Sequence, residues 1–260
     1  MTLFAAMLLA SVLVQSAVNM FNEYFDFKRG LDTKDSVGIG GVIVHNEISG
    51  VEVLRTAETF FMVSLLLGAY ICIRTSWWVA VVGSISMLVG YFYSGGRSPI
   101  ASTPFGELTA GIFMGVVIVG ISFYIQTGLI TAGSVVLSLP ISMLVAAILL
   151  ANNIRDAEGD AKKGRKTLAI LLGKSRATIF LSIMFTTCFT LVVIFVILKW
   201  ASPSVLVSLA SIPRAGRSIK GFRSKATPAE MMAAMKDTSI LHMEFGLLFA
   251  LGIVLGRLLL

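Results

Sequence analysis

The stretch TLFAAMLLASVLVQSAVNMFNEYFDFKRG, from Thr2 to Gly30, joins a long apolar run to a short and densely charged end. Its first part, Thr2–Phe21, carries no charge, and about 20 such residues are enough for a helix to cross a bilayer. The charged side chains that follow at once are Glu23, Asp26, Lys28 and Arg29. The stretch predicts a transmembrane helix that carries carboxylates and then cations where it leaves the membrane.

A second stretch, DAEGDAKKG from Asp156 to Gly164, repeats this order of charges after another apolar run. Placing one stretch over the other pairs Asn22 with Asp156, Asp26 with Asp160, Lys28 with Lys162, Arg29 with Lys163 and Gly30 with Gly164. In both stretches the first two of these positions are four residues apart, which puts their side chains on one face of a helix. The repeat predicts two similar helix ends with a common chemical task.

The composition indicates a membrane protein. Hydrophobic residues make up 56% of the 260 residues and charged residues only 13%, whereas soluble domains carry roughly 25% charged residues. Backbone polar groups within lipid must be bonded inside their own segment, so helices are the expected spans. The two cysteines, Cys72 and Cys188, lie in apolar runs and have no spacing typical of a disulfide framework or a metal site. We expect one all-α membrane domain covering residues 1–260.

Hydropathy predicts a polytopic transmembrane helical bundle of about eight spans. The predicted segments are Thr2–Phe21, Ala57–Ile73, Trp77–Tyr93, Leu108–Ile125, Ser134–Ala151, Ala177–Leu198, Trp200–Ile212 and Ile240–Leu260. The segment Trp200–Ile212 is the shortest of them, and the prediction that it crosses the membrane is based on the charge pattern of the loops.

The basic residues follow an alternating pattern. If all eight segments cross, every one of the 21 lysines and arginines except Arg74, Lys199 and Arg257 falls on the same side. The positive-inside rule assigns that side to the cytoplasm, and both charged clusters lie on it. The formal net charge of +7 therefore mainly reflects the orientation of the chain in the membrane. It is also compatible with contacts to acidic membrane lipid. We expect a multi-pass protein of the cell membrane that has its site on the cytoplasmic side and does not bind nucleic acid.

Oxygen ligands at a helix end suit a hard cation. Mg²⁺ binds one or two carboxylates, keeps several waters and shares the phosphate oxygens of a substrate. Basic residues one turn further along can bind the remaining phosphate oxygens. Charged helix ends are also ordinary in membrane proteins, but two clusters with the same spacing and order disfavour that simpler interpretation. The pattern predicts a site for Mg²⁺ and a diphosphate.

The motifs resemble those of the UbiA-type superfamily of intramembrane aromatic prenyltransferases. The first family motif, N-(D/N)-x-x-D-x-x-x-D, is similar to NEYFDFKRGLD, in which Glu23 replaces the usual Asp or Asn and Asp32 follows Gly30 by two residues. The second stretch, NNIRDAEGDAKKGRKTLAILLG, contains the family's D-x-x-x-D motif. The stretches VGIGGVIVHNEIS, YSGGRSPIASTPFGE and SFYIQTG also resemble the 1,4-dihydroxy-2-naphthoate polyprenyltransferases of menaquinone biosynthesis.

This resemblance implies transfer of a polyprenyl group from polyprenyl diphosphate to 1,4-dihydroxy-2-naphthoate, with loss of CO₂, giving demethylmenaquinone. The implied Mg²⁺ ligands are Asn22, Asp26, Asp32, Asp156 and Asp160. The implied diphosphate ligands are Lys28, Arg29, Lys162 and Lys166. Asp26 and Asp160 are also the implied catalytic residues, together with Glu23, which would tune the metal shell or orient the acceptor. Family members usually have nine spans, so the chain is expected to lack the family's first helix.

Three alternatives remain open at this level. The first is a UbiA-type prenyltransferase for another acceptor, such as 4-hydroxybenzoate or haem, because the metal motifs do not distinguish acceptors. The second is a secondary transporter, although transporters place their charges near the bilayer midplane rather than at span ends. The third is a non-catalytic membrane protein.

Overall fold

The computed structural model describes residues 2–33 and 41–258, and within them the chain is all-helical, without a strand. The helices are α1 (Thr2–Lys28), α2 (Gly50–Arg74), α3 (Trp78–Ser94), α4 (Gly106–Thr127), α5 (Ala132–Lys162), α6 (Leu168–Ile197), α7 (Pro203–Ser211 and Ile212–Ser224) and α8 (Pro228–Leu258). A single 3₁₀ turn, Ile100–Ser102, precedes α4. The all-α prediction is confirmed. The stretch VGIGGVIVHNEIS begins at residue 37, and its residues 37–40 lie outside the described part.

Six of these helices are long and apolar enough to cross a membrane, namely α1, α2, α4, α5, α6 and α8 within the described residues. Helix α3 is apolar but only 17 residues long. Large apolar side chains point away from the protein along these helices; Leu66 and Leu247, for example, are 70% and 68% exposed. Such side chains favour contact with lipid, and the chain is a multi-pass helical membrane protein.

The predicted segment Trp200–Ile212 takes an unusual form. Residues Pro203–Ser211 form a 3₁₀-helix, and α-helical geometry begins only at Ile212. A 3₁₀-helix rises about 2 Å per residue, so this nine-residue piece covers roughly 18 Å of the ~30 Å hydrocarbon core. The Ser204 hydroxyl donates to the Gly252 carbonyl of α8 at 2.6 Å, which holds this piece against a glycine face of α8.

The described residues pack into two compact units. The first contains the described residues of 2–102 and 121–130, and the second contains those of 103–120 and 131–258. In the first unit Ala17 and Ala57 are fully buried, which lets α1 and α2 approach closely, and the Phe21 ring meets the rings of Phe61 and Tyr91 edge-on at 5.0 and 5.2 Å.

The second unit has the larger core, formed mainly by α5, α6 and α8. Fully buried members of this core include Leu150, Leu181, Cys188 and Phe245. This packing holds the charged end of α5 on a rigid scaffold, since close-packed interiors resist rearrangement.

Helix α4 contains a π-helical piece, Ile112–Val117, in the middle of its span. Gly111 and Gly115 face Ser142 of α5 there, and a methyl group placed on Gly111 would lie 3.0 Å from the Ser142 carbonyl oxygen. The Ser142 hydroxyl donates to the Gly111 carbonyl at 2.7 Å. The glycines thus allow a close approach that a larger residue would prevent.

Candidate active site

The two charged clusters end their helices in the same way. Gly30 and Gly164, the matched glycines, have φ of 68° and 82°, a left-handed conformation that glycine adopts without steric cost. The Leu31 amide donates to the Asp26 carbonyl at 2.8 Å, and the Arg165 amide donates to the Asp160 carbonyl at 3.1 Å. These are the hydrogen bonds of a glycine-terminated helix C-cap. The sequence repeat is therefore a repeat of local structure.

Both matched aspartates are buried at these helix ends. Asp26 is 6% exposed and Asp160 is 8% exposed, although each lies within a turn of the end of its helix. Buried carboxylates are retained only when paired with cations or bound to metals. Arg165 approaches the Asp160 carboxylate at 3.3 Å and Arg29 approaches the Asp26 carboxylate at 3.9 Å, so each aspartate has an arginine of its own cluster nearby.

In the first unit, α1 binds the end of α3. The Asn22 amide donates to the Ser94 hydroxyl at 2.8 Å. The Arg29 guanidinium donates to the carbonyls of Ser94 and Gly96 at 2.6 and 2.8 Å, as cations do at helix C-termini. Asn22, Asp26 and Arg29 are thus brought to one place, beside the last turn of α3.

Three further predicted residues of the first unit lie in different surroundings. The Glu23 carboxylate accepts hydrogen bonds from the backbone amides of Gly41 at 3.2 Å and Ile43 at 3.1 Å, and so anchors the chain that precedes α2. The Lys28 ammonium lies 5.7 Å from the centre of the Tyr24 ring. Asp32 follows the glycine turn, and its amide donates to the Asp26 carbonyl at 3.3 Å.

In the second unit, Arg155 holds Asp156. Its guanidinium donates to both carboxylate oxygens of Asp156, at 2.7 and 2.6 Å, and to the side-chain oxygen of Asn152 at 2.7 Å. The same guanidinium points its remaining nitrogen at the sulfur atoms of Met235 and Met232, at 2.7 and 3.1 Å. Arg155 is only 5% exposed, and a two-pronged pair of this kind fixes the orientation of the carboxylate.

The predicted diphosphate ligands of this unit are accessible. Lys162 and Lys166 are exposed, and neither forms an ion pair within the described part of the chain. Ammonium groups on flexible stems can bind phosphate oxygens without first breaking a protein contact. Both lysines lie close in sequence to Asp160, on either side of the glycine turn.

Sequence reasoning missed two residues in this region. In the sequence, Arg155 contributes only to the topology pattern, and its adjacency to Asp156 is the signal for their pairing. Glu107, at the start of α4, is 4% exposed and accepts from the Asn153 amide at 2.9 Å, while its second carboxylate oxygen is buried without a hydrogen-bond partner among the described residues. A lone acid beside an apolar run was the available signal, since ionisable residues there are expensive and functional.

The donor atoms of both clusters fit Mg²⁺ in type. Carboxylate and amide oxygens predominate, and no cluster of three or more acidic, histidine or cysteine side chains at metal-binding distance occurs in residues 2–33 and 41–258. Mg²⁺ commonly uses only one or two protein carboxylates and completes its shell with water and substrate phosphate. The clusters are therefore suited to a metal that arrives with a phosphorylated substrate rather than to a closed structural metal site.

These features define an all-helical membrane protein that carries two matching acidic helix ends. The sequence model of the UbiA prenyltransferase family matches residues 1–240, and the chain belongs to that family. It is a prenyltransferase, as the resemblance of its motifs implied.

Curated relatives include naphthoate prenyltransferases. The chain is 48% identical over 254 residues to the 1,4-dihydroxy-2-naphthoate octaprenyltransferase of Bacillus subtilis, covering 98% of this chain and 82% of that protein. It is 27% identical to the enzyme of the same name from Haemophilus influenzae, covering 96% and 83% of the two chains.

Solved structures share the fold. A UbiA homologue from Aeropyrum pernix superposes with a TM-score of 0.72 at 16% identity, covering 95% of this chain and 88% of that one. A UbiA homologue from Archaeoglobus fulgidus, described as bound to DMAPP and Mg²⁺, superposes with a TM-score of 0.65 at 15% identity, covering 96% and 88%.

Proposed function

We propose that this protein transfers a polyprenyl group from polyprenyl diphosphate to 1,4-dihydroxy-2-naphthoate in menaquinone biosynthesis. The observation that carries the proposal is the 48% identity with the Bacillus subtilis naphthoate enzyme over nearly the whole chain. The matched helix ends supply the chemistry such a reaction requires. The allylic C–O bond of the diphosphate breaks, a C–C bond forms on the ring, and diphosphate and CO₂ leave.

The residues at the two helix ends have assigned roles in this proposal. The Mg²⁺ ligands are Asn22, Asp26, Asp32, Asp156 and Asp160, and bound Mg²⁺ would offset the negative charge that develops on the departing diphosphate. Lys28, Arg29, Lys162 and Lys166 bind outer diphosphate oxygens. Glu23 acts at a distance, because its carboxylate is hydrogen bonded to the loop backbone at Gly41 and Ile43.

The arginine partners support this assignment. Each of the aspartates Asp26, Asp156 and Asp160 faces an arginine, which is Arg29, Arg155 and Arg165 respectively. A site for a metal-bound diphosphate needs both signs of charge, since the metal requires anions and the phosphate requires cations. Both clusters provide this combination within a few residues.

The charge pattern supports placement in the cell membrane with both clusters facing the cytoplasm. Lys28, Arg29, Lys162 and Lys166 all lie on the side that the positive-inside rule assigns to the cytoplasm. The prenyl chain would remain at membrane level while the diphosphate stays near water. Membrane lipid is therefore a constant partner of the protein, along with the two substrates.

The test is an acceptor panel. Purified protein receives labelled polyprenyl diphosphate and Mg²⁺ with 1,4-dihydroxy-2-naphthoate, 4-hydroxybenzoate or haem, and prenylated products are separated and counted. We expect product with the naphthoate, release of CO₂ in equal amount, and loss of product when Mg²⁺ is chelated. Transfer to 4-hydroxybenzoate alone would overturn the acceptor assignment, and no transfer to any acceptor would favour a non-catalytic protein.

A further inference from the structure

A groove lies between α6 and α7, away from both charged clusters in sequence. Its volume is about 590 Å³, and its floor includes the rings of Phe185 and Phe189, which are 3% and 9% exposed. Ile219 of α7 adds an aliphatic wall. The base of the groove is therefore apolar and suited to hydrocarbon.

Gly216 widens this groove. It lies within the α-helical part of α7, where glycine costs about 1 kcal/mol relative to alanine. A methyl group placed on Gly216 would meet nothing within 4 Å, so the glycine is not required by close helix packing. Its missing side chain leaves open space on the groove side of α7, where Gly216 is one of the lining residues.

The cations of α7 fall into two groups. Arg214 donates to the carboxylates of Glu244 and Asp237, and Arg217 lies 3.6 Å from Asp237. The hydrogen bonds to Glu244 and Asp237 raise the pKa of the Arg214 guanidinium above its ordinary value. These two arginines hold α7 against α8.

Lys220 and Arg223 form the second group. Both are exposed, both line the groove, and neither forms an ion pair within residues 2–33 and 41–258. They lie three residues apart on one helix, so their charges face the same side. No acidic residue lines the groove among the described residues. Its mouth is thus purely cationic, in contrast to the mixed charge of the two site clusters.

We propose that this groove binds an anionic glycerophospholipid, with the phosphate at Lys220 and Arg223 and an acyl chain along Phe185 and Phe189. Basic pockets between transmembrane helices on the cytoplasmic side suit anionic lipid headgroups, and the charge pattern of the loops assigns the α-helical part of α7, Ile212–Ser224, to that side. The absence of carboxylates from the described lining disfavours a Mg²⁺-bound diphosphate as the occupant. This site is separate from the transfer reaction and does not depend on its substrate.

The experiment is a lipid competition. The full chain in neutral detergent is mixed with equal amounts of phosphatidylglycerol and phosphatidylcholine that have identical acyl chains, and bound lipid is counted by native mass spectrometry. We expect roughly 30-fold preference for phosphatidylglycerol, since each cation near an anionic lipid contributes about fivefold in affinity. Equal retention of the two lipids by the wild-type protein would overturn the proposal.

Two groove variants address charge and space separately. In Lys220→Gln/Arg223→Gln the preference for phosphatidylglycerol should fall to about parity. In Gly216→Leu the retention of both lipids should fall, because the leucine side chain takes up space that the glycine leaves open in the groove. The control for lost charge is Arg74→Gln/Arg257→Gln, which removes two exposed arginines outside the groove. The control for added side-chain volume is Gly68→Leu, because a side chain at Gly68 also meets nothing within 4 Å. Groove variants that retain lipid as the controls do would contradict the inference.

Discussion

The contact between α8 and the 3₁₀ piece of α7 allows a quantitative prediction for Gly252→Ala. A methyl group on Gly252 would lie 2.5 Å from the Val205 Cα, 2.7 Å from the Ser204 carbonyl oxygen and 2.9 Å from the Val205 amide nitrogen. All three are backbone atoms, so no side chain can rotate away, and the two segments must separate. Overpacking of this kind typically costs 1–3 kcal/mol, and separation also weakens the 2.6 Å hydrogen bond from Ser204 to Gly252. We expect a loss of about 2–3 kcal/mol in unfolding free energy.

The native cysteines supply the assay for this prediction. Cys188 is fully buried in the same unit, and a thiol-reactive fluorophore added during heating will report its exposure in a Cys72→Ala background. A loss of about 2–3 kcal/mol should lower the unfolding temperature by roughly 5–10 °C for a chain of this length. The matched control is Gly246→Ala on the same helix, where the nearest atom, the Ile141 Cδ1, lies 3.9 Å away, an ordinary contact. If both variants unfold within about 1 °C of each other, the reasoning from close approach is refuted.

Three further predictions concern the site and the topology. Asp26→Ala and Asp160→Ala should each reduce turnover at least about 100-fold while the protein stays folded, because each removes a buried carboxylate that we propose to bind Mg²⁺. Near-normal rates would reduce both clusters to structural helix ends. Arg155→Gln should raise the Mg²⁺ concentration for half-maximal activity about 10–100-fold, because Arg155 orients Asp156, a proposed Mg²⁺ ligand. An unchanged Mg²⁺ requirement would contradict this positioning role. In intact cells, Ser224→Cys should react only with thiol reagents that reach the cytoplasm. Lys199→Cys should react with membrane-impermeant thiol reagents added outside. Reaction of both cysteines from one side would show that Pro203–Ser211 does not cross the membrane.

The helix ends were predictable from sequence because their geometry is local. The order of carboxylate, cation and glycine placed Asp26 and Asp160 at matching positions, and glycine is the residue that the left-handed turns at Gly30 and Gly164 require. The hydropathy of long apolar runs likewise located the helices, since a membrane span depends on composition over about 20 residues. Pattern and structure agree wherever neighbours in sequence decide the conformation.

Features that depend on distant residues were not predictable. The 3₁₀ segment Pro203–Ser211 packs against Gly252 and Gly256 of α8, and the hydropathy of the segment does not predict that contact. The loop-anchoring role of Glu23 depends on amides about twenty residues away, and the burial of Arg155 depends on methionines of α8. The motif indicated a role for Glu23, whereas Arg155 was only one charge of the topology pattern, and the packing determines where each of these side chains points.

The π-helical piece of α4 makes this helix sensitive to insertions and deletions in a way that its hydropathy would not suggest. Removing a single residue from Ile112–Val117 would still leave enough apolar length to cross a bilayer, and an ordinary α-helix could form. A π-helical turn holds one residue more than an α-helical turn, so this loss would leave the turns on either side close to their present orientation. Removing Thr109 from the α-helical part would instead rotate the preceding turn by about 100°, and the buried Glu107 carboxylate would turn away from its hydrogen-bond donor Asn153. A one-residue deletion scan through α4 should therefore find tolerated losses within Ile112–Val117 and damaging ones between Glu107 and Gly111.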